Sequence, residues 1–71
     1  MNGIKAKALR YYVGESMEVF GKRIGVAAST ICAIENGQRD LSDYVRAKLI
    51  RLETQMPDEF FIFYERFCES T

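Results

Sequence analysis

The chain has 71 residues, 48% of them hydrophobic, with ten Lys and Arg against ten Asp and Glu and neither His nor Trp. That length is one small domain whose core is worth only about 3–5 kcal/mol. Without imidazole it has no Ser-His-Asp or Cys-His machinery and no His metal site.

The longest apolar run, Phe60 to Tyr64, is far too short to span a membrane. The N-terminal stretch lacks an apolar segment of signal-peptide length, so no secretory signal is expected. Cys32 and Cys68 are too few for a disulfide scaffold. A reduced cytoplasmic setting, no cofactor and no enzymatic activity are the expectations.

The chain reads as all-α, with five short helices. The first is predicted over Ile4–Val13, with Leu9, Tyr12 and Val13 on one face and Gly14 as its stop. Ser16 is placed to cap the second, with Glu18 in its first turn and Val19, Phe20 and Ile24 as its apolar face. Gly25 interrupts the pattern. A third short helix follows, with Ile31 and Ile34 facing the core, and Asn36-Gly37 stops it. Gln38 to Leu41 reads as a loop. Ser42 caps a fourth helix, where Val45, Leu49 and Leu52 recur at helical spacing. Thr54 to Met56 is a joint. Pro57 suits a first helical position, so the fifth helix is expected over about 57–68. Phe60 to Tyr64 could also be a buried strand, but length and flanks favour helix.

Neutral charge overall hides an asymmetry. Residues 1–52 carry nine basic and five acidic side chains, and residues 53–71 carry Arg66 against five acidic ones. A mildly basic body with an acidic tail suits nucleic-acid contact by the body, or is ordinary solvated surface.

The segment from Ser16 to Gly37 reads cap, helix, glycine turn, helix, glycine stop, which is the helix-turn-helix pattern. Gly21 costs about 1 kcal/mol of helix propensity. Either Gly21 is a weak spot in an ordinary helix, or close approach of the two helices, where a side chain would hold them apart, compensates for it; Gly25 four residues on favours the second.

The stretch FGKRIGVAASTICAIENGQR resembles the Cro/phage-repressor (XRE-type, lambda-repressor-like) helix-turn-helix family, and the wider match covers about residues 4–53. Phe20 stands at the family's apolar position and Gly21 at its small one, usually Ala. Gly25 is the turn glycine, Ile31 and Ile34 are core positions of the recognition helix, and Glu35-Asn36-Gly37 matches its ending. The resemblance implies an ion pair between Arg10 and Glu35, partly buried and tying the first helix to the third.

It also implies a transcriptional regulator that binds a double-stranded DNA operator as a homodimer through its third helix. The residues implied to touch DNA or a partner are Lys22, Arg23, Ala27, Ala28, Ser29, Thr30, Cys32, Ala33 and Arg39. Lys22 and Arg23, with Lys5 and Lys7, are the expected phosphate contacts. The chain departs from the family where bases are read. Met17 replaces the usual Gln, Ala27 the usual hydroxyl cap, and Ala28, Ser29 and Ala33 occupy the reading positions. None can make a bidentate bond to a base edge. Asp40 and Asp43 follow, and both repel phosphate. A second function is therefore carried beside the first. It is an antirepressor that keeps the fold and seizes a partner repressor protein with the short, apolar third-helix surface.

The last segment holds five of the nine aromatic residues: Phe60, Phe61, Phe63, Tyr64 and Phe67. Positions 60, 63, 64 and 67 form one helical stripe, and Phe61 and Ile62 fall outside it. A helix apolar beyond one face has a second surface to cover, or a small core wraps it more fully than usual. Phe60, Phe61, Ile62 and Tyr64 are the expected dimer or partner contacts. Cys68 is expected to be at least half-buried, and Cys32 to be structural.

Overall fold

The computed structural model describes residues 1–70, and those residues form five helices and no strand. They are α1 (Gly3–Val13), α2 (Met17–Ile24), α3 (Ala28–Glu35), α4 (Asp43–Thr54) and α5 (Glu59–Ser70).

Local chemistry accounts for the boundaries. Asn2 opens α1 one residue earlier than the apolar pattern suggests, because its side-chain oxygen accepts the Lys5 N–H at 2.8 Å. Ser16 and Ser42 cap α2 and α4 in the same way, accepting from Val19 and Val45. Gly14 closes α1 by donating to the Arg10 and Tyr11 carbonyls.

The fifth helix starts later than expected. Phe60 and Phe61 donate to the carbonyls of Pro57 and Asp58, three residues back, at 2.9 and 3.0 Å. This tight i→i+3 turn leads into α5, so Pro57 precedes the helix instead of forming its first residue. The helix then runs past Cys68 to Ser70, and Phe60 to Tyr64 lie within it and not in a strand.

The core joins all five helices. Phe20, Phe60, Leu9, Ile24 and Leu49 are its largest fully enclosed side chains. Each stabilises the fold by about 1.5–3 kcal/mol through burial. Helix α2 packs most closely on α3, and α1 on α5. The α1–α5 seam is aromatic: Tyr12 meets Phe60 and Phe63 edge-on, each at 5.4 Å, and Tyr11 meets Phe67 at 5.7 Å. Lys5 bridges this seam to α4, with its ammonium 2.7 Å from Glu53 and over the Tyr64 ring. Burial and the Cys68 thiol raise the Tyr64 hydroxyl above its usual pKa.

Three expectations about burial are corrected. Val19 is exposed, because the inward face of α2 is Phe20, Gly21 and Ile24. Cys68 is exposed, since α5 turns Phe60, Phe63, Tyr64 and Phe67 inward and leaves position 68 outside. Phe60 is wholly enclosed by its own chain and has no surface left for a dimer or partner contact. Phe61 and Ile62 do face outward, at 46% and 60% exposure.

Candidate interface on the second and third helices

The corner between α2 and α3 is built by backbone. Gly25 takes a left-handed conformation, φ 92°, which an L side chain would strain, and it ends α2. The Gly25 and Val26 N–H groups both donate to the Gly21 carbonyl, at 2.7 and 2.8 Å. The chain thus folds back over Gly21, and a Cβ added there would sit 2.6 Å from the Val26 carbonyl oxygen. The missing side chain sets the separation of the two helices.

Helix α3 starts at Ala28, after the cap position Ala27, whose side chain makes no capping bond. Its backbone carbonyl accepts from Thr30 and Ile31 instead. Ile31 and Ile34 pin the inner face into the core. At the far end a second glycine allows close contact: a Cβ at Gly3 of α1 would collide with the Ile34 carbonyl. This role of Gly3 is not legible in the sequence. Its only signal was a glycine at the start of a helix with no turn to explain it.

Arg10 fixes the same end of α3. Its Nε and Nη2 donate to the two Glu35 carboxylate oxygens at 2.7 and 3.0 Å, and Nη1 donates to the Glu15 carbonyl at 3.1 Å. Its bonds to the Glu35 carboxylate raise the guanidinium pKa above its already high value. One side chain therefore ties α1, α3 and the α1–α2 connection together.

The expected contact residues divide by exposure. Ala27, Ser29, Lys22 and Arg39 lie open, while Ala28, Thr30, Cys32 and Ala33 are half-buried. Met17 is also half-buried, packed against the core. The Asn36 amide donates to the Cys32 sulfur at 3.4 Å. The outward face of α3 thus offers small side chains and the Ser29 hydroxyl. Lys22 and Arg39 make no ion pair or side-chain hydrogen bond among the described residues.

Arg23, the other expected phosphate contact on α2, is already engaged by a carboxylate. Its Nε and Nη2 grip both oxygens of Glu15, lowering the Glu15 pKa and raising its own. A phosphate would have to displace that carboxylate. Lys5 is similarly engaged by Glu53. The signal for Glu15–Arg23 was absent from the sequence, because Glu15 precedes the Ser16 cap and Arg23 sits in the last turn of α2, a separation outside the i,i+3 and i,i+4 pairings that helical spacing predicts.

No group of three or more His, Cys, Asp or Glu that could hold a metal ion occurs among the described residues, and no helix there is long and apolar enough to cross a membrane. Comparison of the chain with protein-family models, with curated proteins and with solved structures finds no match.

Proposed function

We propose that the chain is a small transcriptional regulator of Cro/repressor type, with α2 and α3 as a lambda-repressor-like helix-turn-helix that binds double-stranded DNA as a cytoplasmic homodimer. One observation carries the reading: the close α2–α3 corner over Gly21, which leaves a slim α3 face of Ala27 and Ser29 open to a partner macromolecule. Small side chains let a helix lie deep in a major groove, where Ser29 can bond a base edge and the alanines can touch thymine methyls. Lys22 and Arg39, both open and unpaired among the described residues, supply backbone contacts. With few readers, selectivity comes largely from duplex shape. The outward Phe61 and Ile62 supply the homodimer contact, which doubles the phosphate contacts.

The test is a titration of labelled operator duplex at two salt concentrations. Binding should weaken with salt, and Lys22→Ala and Arg39→Ala should each flatten the logarithmic slope by about one unit. Ser29→Arg should add about 1–3 kcal/mol of discrimination at one base position. No binding at either salt rejects the reading.

A specific observation favours a second reading. Glu15 occupies Arg23, and Asp40 and Asp43 lie open just beyond α3. Fewer cations and more carboxylates suit the basic DNA-facing surface of a repressor protein better than a phosphate backbone. On this reading the chain is an antirepressor. Release of a repressor from its operator, with no direct binding to the duplex, distinguishes it.

A further inference from the structure

Away from α3, a cleft of about 190 Å³ opens between α2 and α4, lined by Arg23, Ile24, Lys48, Arg51, Leu52 and Gln55. Three of these are cations and none is a carboxylate. Ile24 and Leu52 are buried and make the inner wall apolar. We infer that this cleft is a binding site for a phosphoryl anion.

The charge balance supports it. Lys48 and Arg51 stand three apart on α4, so they are neighbours on one helical face, and their repulsion works against the helix. The Lys48 ammonium lies over the Tyr44 ring, 5.4 Å from its centroid, which leaves its charge uncancelled. Arg51 has no ion pair and its guanidinium no hydrogen bond among the described residues. Glu15 neutralises Arg23 from outside the cleft, through Nε and Nη2. Two positive charges thus converge on one cavity with no carboxylate in its lining.

A phosphoryl group suits this arrangement better than a single carboxylate. It carries up to two negative charges and three acceptor oxygens, which match two cations and the Gln55 amide. The Arg51 fork can take two of those oxygens together, and the apolar wall weakens competition from water. The source is a nucleic-acid backbone or a free phosphoanion. No residue of α3 lines the cleft, so the inference does not depend on a duplex bound at that helix.

The experiment is a titration of inorganic pyrophosphate into isotope-labelled protein at constant ionic strength, followed by nuclear magnetic resonance. The Lys48, Arg51 and Gln55 signals should shift and saturate. The variant Lys48→Gln/Arg51→Gln should bind at least about ten-fold more weakly. Random-sequence duplex added to the pyrophosphate complex separates the sources. Displacement identifies a nucleic-acid backbone, and retention identifies a free phosphoanion. Shifts that never saturate, or equal binding by the double variant, overturn the inference. Should that variant lose its helical circular dichroism, Arg51→Gln alone must weaken binding, and an unchanged affinity there overturns the inference equally.

Discussion

Arg10 and Glu35 form a two-pronged ion pair between α1 and α3, and their side chains are only 9% and 2% exposed. Such a pair is held in place by what its removal would strand. Glu35→Ala leaves a guanidinium out of water with no counter-charge, held by the Glu15 carbonyl and the face of the Tyr11 ring. That should cost about 3 kcal/mol or more, close to the whole stability of a domain this small. Arg10→Met/Glu35→Met, which leaves no charge behind, should recover most of the loss. Urea unfolding of the three variants checks this. A double variant as unstable as Glu35→Ala would show that the pair itself, and not the stranded charge, is what matters.

Gly21 sets two effects against each other. Helix propensity alone says Gly21→Ala should stabilise α2 by about 1 kcal/mol. The Cβ, however, would meet the Val26 carbonyl at 2.6 Å, and the corner cannot open without moving the Gly25 turn. Overpacking of this kind costs about 1–3 kcal/mol, so the variant should be less stable than the parent. Thermal unfolding gives the sign directly, and a higher midpoint would mean the corner yields easily.

Phe60 and Phe61 are chain neighbours with opposite environments, fully buried and 46% exposed. Phe60→Ala should cost about 3–5 kcal/mol and unfold most of the population. Phe61→Asp should leave the helical circular dichroism intact and abolish self-association. Sedimentation of Phe61→Asp decides the second half, and a mutant that still sediments as a dimer moves the interface elsewhere.

Acid should loosen the α2 anchor. The Arg23 guanidinium holds the Glu15 carboxyl below its ordinary pKa. A depressed carboxylate contributes stability that is present above the unfolded-state pKa and is lost as pH falls through the lower folded value. The protein should therefore lose stability below about pH 4.5 faster than Glu15→Gln does. The difference should be small, because the Arg23 side chain is 46% exposed and water screens the pair. Denaturation midpoints of both proteins at neutral and acid pH, which should converge on acidification, test it.

The local elements were legible in the sequence because their causes are local. Ser16 and Ser42 cap the helices they precede, Gly14 and Gly25 end the helices they follow, and the recurrence of Val45, Leu49 and Leu52 marks the buried face of α4. Spacing alone also separated Phe61 and Ile62 from the aromatic stripe, since a helix turns successive residues to different sides. The late start of α5 was hidden because a proline fits both the first helical position and the turn before it.

What the linear chain could not carry was which distant groups would meet. Gly3 lies against Ile34, Glu15 takes up Arg23, Lys5 reaches Glu53, and Arg23 joins Lys48 and Arg51 around one cleft. Each depends on the angle and spacing at which separate helices pack, which follow from side-chain volumes summed over the whole core. Composition and periodicity determined five helices and most of their inward faces, Val19 being the exception. Only the tertiary structure decided which cations are neutralised by a carboxylate and which are not, because charge compensation is set by distance in space and not by position in the chain.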